Sequence, residues 1–322
     1  MAVDYSVFDE LTTATAQSRT GSIKDNLRNN NPVLHKMNKK GKIMEVDGGI
    51  PILQEIMYRS NGTEGYYRGA EPRLIETREV MQSPAYDMKQ ASTAIVMTGR
   101  DKAINRGKTK SLALMETRIK AANGAMENLL NVGIFSDGTG FEGRQINGLQ
   151  LFIPVNSARE TGVVGGLNRA QTGEYWRSKN VTGFTRENVK QKFQELYSMT
   201  TRGSDMVDLI VCDNNVYNTF HDALELQERF MGDKEKASGG FRYLQWINAD
   251  VVNAGGIGGA CPADTAFFLN CDYMHWRPYM GYNMVVDPQT RYPADQDLYI
   301  KHILWYGNMT TSGLQFQGRL EA

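Results

Sequence analysis

Apolar residues spaced three and four apart single out residues 107–133. Leu112, Met115, Ile119, Ala122, Met126 and Leu129 line one stripe of a helix, and Lys110, Glu116, Thr117, Lys120, Asn123, Glu127 and Asn128 take the opposite face. About 24 residues rising 1.5 Å each make a rod of about 36 Å, against an average helix of about 11–12 residues. Thr109 or Ser111 is placed to cap its start, and Gly133 to end it in a left-handed turn. So long a rod, apolar on one side only, predicts a spine on which sheets are laid. The alternative is half of a two-helix coiled coil, but no second segment of this kind exists to pair with it.

Elsewhere the period is two, or absent. Residues 1–31 have no sustained apolar period; a Thr/Ala/Ser/Gln-rich run at 12–20 leads to Asn29-Asn30-Asn31-Pro32, which suits a free arm or a floppy terminus. A short helical turn is expected from Pro32 to Met37. The lysines that follow (Lys36, Lys39, Lys40, Lys42) predict a solvated face rather than a nucleic-acid site. Residues 42–46 and 50–58 read as extended, then come the turn-rich 60–72 and a returning arm at 73–81. Two arms of about ten residues at 3.3 Å each project a hairpin of about 30 Å. An isolated two-stranded ribbon is marginal in water, so it is expected to lie on another copy of the chain; packing on its own body is the alternative.

Further strands are expected at 91–98, 145–153, 207–212, 243–252, 265–269, 273–278, 282–286, 297–305 and 314–320. A short helix is expected at 99–106, and Tyr175-Trp176-Arg177 forms an aromatic anchor in the loop-rich 156–182. Thr185 is placed to cap a helix from Arg186 to about Thr201 that buries Val189, Phe193, Leu196 and Tyr197, with Gly203 beyond it. Asp213 caps a second, 214–230, that buries Val216, Tyr217, Phe220 and Leu224; 231–240 is a charged loop. Strand followed by helix implies a mixed α/β lobe within an α+β chain.

Charge and composition narrow the function. Lys plus Arg and Asp plus Glu both number 36, and a net charge of zero argues against a protein that grips nucleic acid. Three cysteines and no basic-then-apolar leader predict a reducing compartment and free thiols, and no apolar window reaches the roughly 18–20 residues of a membrane span. Asn61, Asn180 and Asn308 match the glycosylation triplet only by chance on that reading. Chemistry is scarce. The glycines at 255–259 miss G-x-G-x-x-G because Cys261 stands where the last glycine belongs, and a flexible loop explains them better. Asp137-Gly-Thr-Gly is a turn. His35, His221, His275 and His302 show no ligand spacing with the cysteines, His221 and His275 suiting a helix surface and strand packing, and no G-x-S-x-G elbow occurs. No catalytic residue, metal or cofactor is expected.

The order of parts carries a resemblance. Asn31-Pro32-Val33-Leu34, Val46-Asp47-Gly48-Gly49, Tyr58-x-x-Asn61-Gly62-Thr63 and Tyr86-Asp87-x-Lys89-Gln90-Ala91 lead into the spine. Ile134-Phe135-Ser136-Asp137-Gly138-Thr139, Gly148-Leu149-Gln150, Tyr175-Trp176-Arg177, Asn308-Met309-Thr310-Thr311-Ser312 and Gln317-Gly318 follow it. In this order they resemble the major capsid protein of tailed double-stranded DNA phages, of the Hong Kong 97-like fold, over nearly the whole chain. Ser312-Gly313 departs from the family, where an asparagine follows the serine. The resemblance implies an N-terminal arm (1–41), an extended hairpin loop (42–90), a peripheral domain with the spine (91–140), an α/β axial domain (141–272), and returning strands (273–322) completing both. It implies a structural subunit, not an enzyme, that builds hexamers and pentamers of an icosahedral head. The head encloses double-stranded DNA without reading its sequence, and its place is the virion, assembled in the host cytoplasm. A separate scaffolding protein and a portal protein are the implied partners, with a decoration protein left open, no membrane and no covalent cross-link. Tyr66, Tyr67, Arg68, Glu71 and Arg73 are the expected tip contacts between subunits. An encapsulin-type compartment and an α/β metabolic enzyme are the alternatives.

Overall fold

The computed structural model describes residues 31–73, 75–100, 108–225, 243–256, 259–293 and 295–322, with backbone alone at 108–116, 225 and 243. The expectations for residues 1–30 and 231–240, and most of the helix at 99–106, lie outside the described residues.

Helix α1 (Pro32–Lys39) opens the described chain because Asn31 caps it: its side-chain oxygen accepts from the N–H groups of Val33 and Leu34 at 2.9 and 3.2 Å. Proline at the first helical position gives up no hydrogen bond there. Val33, Leu34 and Met37 are buried. Lys39 is exposed as expected, but Lys36 and Lys40 are not part of a solvated face. Lys36 pairs with Asp250 at 2.6 Å, and Lys40 with Asp272 and Asp208 at 2.6 and 3.1 Å, so the helix is clamped to the body. Residues 42–46 then bridge, in parallel, to a later long strand at Ile43–Trp276 and Val46–Tyr279.

The hairpin has a shorter ladder than the sequence suggested. Strands β1 (Ile52–Leu53) and β2 (Ile56–Met57) pair antiparallel with β4 (Ala85–Tyr86) and β3 (Met81–Gln82) respectively. Past Met57 and Met81, one bond from the Tyr58 N–H to the Val80 carbonyl continues it. Of the arm expected at 73–81, Val80 and Met81 join the ladder, while the described residues 73 and 75–79 belong to no strand; Gly62, Gly65, Gly69 and Pro72 break the tip before them.

Strand β5 (Lys89–Thr98) leads to the spine, α2 (Lys108–Ile134), whose 27 residues span about 40 Å. Ile119, Ala122, Met126, Leu130 and Ile134 are buried and Leu129 half-buried; Leu112 and Met115 have no described side chains. Two details correct the pattern. Asn123, placed on the polar face, is buried with its Oδ1 unpaired among the described residues. Gly133 does not stop the helix but lies within it, at a close approach: a Cβ there would meet Ile146 at 2.7 Å. Asp137 then makes its turn, accepting from the Thr139 N–H and hydroxyl at 3.0 and 2.7 Å, and those bonds hold its carboxyl below the usual carboxylate range.

The strand expected at 145–153 is a short helix, α3 (Leu149–Phe152). The N–H groups of Phe152 and Ile153 turn back to the carbonyls of Gly148 and Leu149, which buries Leu149, Phe152 and Ile153 on one side. Strands β6 (Val163–Val164) and β7 (Leu167–Asn168), helix α4 (Arg169–Thr172) and strand β8 (Lys179–Thr182) follow. Helix α5 (Val189–Thr200) starts later than expected because Thr185 makes a turn instead, its carbonyl accepting from Asn188 and Val189. Its buried Val189, Phe193, Leu196 and Tyr197 are those read from the spacing.

Strand β9 (Leu209–Cys212), helix α6 (Asn214–Glu225) and strands β10 (Tyr243–Trp246), β11 (Ala249–Asn253) and β12 (Thr265–Leu269) complete the lobe. Asp213 precedes α6 as expected, but its carboxylate accepts from the Asp264 N–H. Residues 243–252 form a hairpin rather than one strand, turning at Ile247 with φ 56°. The last strands are β13 (Met274–Val286), β14 (Leu298–Thr311) and β15 (Gly318–Glu321). Strand β13 unites the two expected at 273–278 and 282–286 across a register shift, while 314–316 is a 3₁₀ turn.

Two sheets result. A mixed six-stranded sheet has the order β10-β11-β9-β12-β15-β8, and an antiparallel three-stranded sheet the order β13-β14-β5. Alternation along β9 builds two cores: Leu209 and Val211 face the core shared with the spine and α1, and Ile210 and Cys212 face α5 and α6. Phe267 and Phe268 on β12 divide in the same way. Both faces are therefore covered, which explains an unbroken apolar run such as 209–212.

Candidate functional site: the ribbon and its footing

The footing is rigid. Trp176 is fully buried and its indole N–H donates to the Val164 carbonyl at 3.2 Å; Arg169 donates to the last carbonyls of α3, Leu151 and Phe152. Burial lowers the Arg169 guanidinium to about 10. Tyr175 donates to Gln82 on the ribbon at 3.1 Å and packs its ring 5.1 Å from Tyr58. Tyr86 donates to the Thr311 carbonyl at 3.2 Å, and burial pushes its phenol well above the ordinary value. A groove of about 610 Å³ lies beside this footing, walled by Tyr58, Arg202, Tyr273 and Phe316, the last two stacked at 4.2 Å.

The ribbon beyond is open to water. Tyr66 is 109% exposed and Ile75 92%. Of the tip residues predicted from sequence, Arg73 lies over the Tyr67 ring at 4.2 Å, and the Arg68 N–H donates to Glu71 at 3.1 Å. Tyr66 stands apart from both pairs. Sequence reasoning passed over Ile50, Leu53, Met57, Ile75 and Met81, although an apolar residue amid glycines and charges was the available signal. Among the described residues, these five with Tyr66 and Tyr67 are seven of seventeen large exposed apolar side chains, gathered in a tenth of the chain. So dense a group marks a surface built to be covered.

Reactive chemistry is not what this region presents. Among the described residues no group of three His, Cys, Asp or Glu is placed to hold a metal, and no helix is long and apolar enough to cross a membrane. Cys212, Cys261 and Cys271 are free and buried, as expected of unpaired thiols, and burial pushes Cys261 up to about 12. The glycines at 255–259 are packed at their described ends: a Cβ on Gly255 would lie 2.1 Å from the Asp213 carboxylate. His275 is buried between strands as expected, and His221 lies half-buried on α6.

No protein-family model and no curated protein sequence matches the chain. Solved structures match it along nearly its whole length. The capsid asymmetric unit of cyanophage A-1(L) aligns with TM-score 0.63 at 12% identity, over 87% of this chain and 90% of that one. The chain has the Hong Kong 97-like capsid fold. The capsid of a native GTA particle aligns at 0.57 with 11% identity, over 88% and 89%. An encapsulin complex from Synechococcus elongatus aligns at 0.55 with 8% identity, over 86% and 83%. At these identities the Hong Kong 97-like backbone path is shared while the side chains that fill it are this chain's own. The α+β class and the long spine read from the sequence stand.

Proposed function

We propose that the chain is the structural subunit of an icosahedral phage head, packing as hexamers and pentamers around double-stranded DNA. The observation that carries this is the ribbon at 58–80: an extended loop with Tyr66, Tyr67 and Ile75 in water is incomplete as a monomer and becomes stable on a neighbouring copy. Ribbon and covering surface are different parts of the chain, so the contact is head-to-tail and closes into rings. The tip pairs Tyr67–Arg73 and Arg68–Glu71 make the contact, with aromatic area at small entropic cost. The arm ends at residue 41 and the hairpin loop at 90. The spine and the three-stranded sheet form the peripheral domain and the six-stranded sheet the axial one, with the strands after 273 shared between both.

Fold likeness to capsids supports this reading, and a net charge of zero suits a wall that must release the DNA it holds. The role is structural and not enzymatic, its place is the virion, and a separate scaffolding protein and a portal protein are its assembly partners. An encapsulin-type compartment is the second reading, favoured by the 0.55 alignment. Electron microscopy and sedimentation of the chain expressed with and without a candidate scaffolding protein test both. Closed shells are expected; shells that package a cellular enzyme favour the compartment, and a homogeneous dimer under every condition contradicts both.

A further inference from the structure

Asparagine followed by glycine occurs three times, at Asn61–Gly62, Asn123–Gly124 and Asn147–Gly148. The pair has a chemistry of its own: with no Cβ on the glycine, its backbone nitrogen can reach the asparagine Cγ and close a five-membered ring. Ring closure needs backbone that is free to turn, and the fold withholds that freedom from two of the three. Asn123 is buried within α2, where the Gly124 N–H belongs to the helical ladder. Asn147 is half-buried with its N–H donated to the Asn308 side chain at 2.9 Å, and Gly148 is wedged against the Ser136 and Gly133 carbonyls.

The ribbon tip is different. Asn61 is exposed, and neither it nor Gly62 lies in a helix or strand. Its Nδ2 donates to the Thr63 hydroxyl at 3.2 Å, which folds the carboxamide forward across the Gly62 peptide, the direction ring closure takes. Gly62 has φ 70°, and the guanidinium of Arg78, itself paired with Glu76, lies over it: a Cβ there would meet Nη1 at 2.7 Å. The Glu64 carboxylate accepts from its own N–H, the Ser60 hydroxyl and the Gly62 N–H, and these bonds, with the Arg78 charge, hold it below the usual carboxylate range. A base therefore sits on the proton that the attacking nitrogen has to lose.

We propose that Asn61 is a self-modification site, at which the Gly62 nitrogen attacks the Asn61 Cγ and Glu64 receives the Gly62 proton. A C–N bond forms, the Cγ–Nδ2 bond breaks, and Nδ2 leaves as ammonia with that proton. Water then opens the ring at either carbonyl, leaving aspartate or isoaspartate at position 61. Both products add a negative charge to the tip, and isoaspartate also lengthens its main chain by an atom. The reaction needs a single chain and water, so the unassembled protein tests it without reference to the shell function.

The purified chain is kept at neutral pH, digested with trypsin at intervals and read by mass spectrometry. The three pairs fall in separate peptides, 60–68, 121–144 and 145–159. Peptide 60–68 is expected to gain the mass of NH2 replaced by OH more than about tenfold faster than the other two pairs, which wait for local opening. Its product is expected to accept a methyl group from an isoaspartyl methyltransferase, because the ring route makes isoaspartate and direct hydrolysis of the amide does not. Glu64→Gln is expected to slow the gain by at least about tenfold, and Asn61→Gln to stop it. No gain in 60–68, equal rates at the three pairs, aspartate without isoaspartate, or an unchanged rate in Glu64→Gln overturns the proposal.

Discussion

Single residues show where this chain has no slack. Gly148 is hemmed in by backbone: a Cβ would lie 2.3 Å from the Ser136 carbonyl oxygen and 2.5 Å from that of Gly133. At Gly133 the obstacle is the Ile146 side chain, which can move. Gly148→Ala is therefore expected to destabilise by about 3 kcal/mol or more and Gly133→Ala by about 1 kcal/mol, by urea unfolding. His275 responds to acid. Burial, then the charges of Arg277 and Lys42, lower it from 6.5 to about 4, only partly offset by Asp272. Its folded value is depressed, so the unfolded chain binds the proton first, and stability falls as pH drops from 6.5 towards 4. The loss amounts to about 3 kcal/mol. His275→Gln is expected to flatten that part of the pH dependence; an equal slope in both proteins contradicts the assignment.

Elements were legible where one period ran unopposed. The spine showed through Ile119, Ala122 and Met126, and α5 through Val189, Phe193 and Leu196, because three-and-four spacing is a local property. Residues 145–153 were not legible: Ile146, Leu149 and Phe152 also suit a short strand, and packing of Gly148 on the end of α2 decided for a helix. Asn123 was misplaced because the sheets cover more of the spine than one stripe. Gly133 carried the usual signal of a helix end, but the helix continued because Ile146 needed close approach. The spine makes its own prediction. Ile119→Ala, at a site with no exposure, is expected to cost about 2–5 kcal/mol. Lys120→Ala, one residue on and exposed, is expected to stay within about 0.5 kcal/mol. Thermal unfolding of the two variants compares them directly.

At the scale of the whole molecule, order of parts revealed more than any one of them. The long helix and the strand–helix alternation of the lobe were readable in sequence; the pairing that joins them was not. The β10-β11-β9-β12-β15-β8 order joins residues 179–182 to 318–321, a separation that no local pattern encodes. The ribbon's short ladder was hidden for the opposite reason, since extended backbone looks alike whether paired or waiting. Its exposed side chains separate assembly from folding. Tyr66→Ala is expected to leave the melting temperature unchanged while lowering particle yield, measured by sedimentation; a lowered melting temperature contradicts a role confined to assembly. The most direct measurement removes residues 61–69 and follows both properties together, folding by thermal unfolding and assembly by electron microscopy. The account predicts a folded subunit with its melting temperature within a few degrees of the parent and no closed particles. Particles of normal size and number from the shortened chain contradict it.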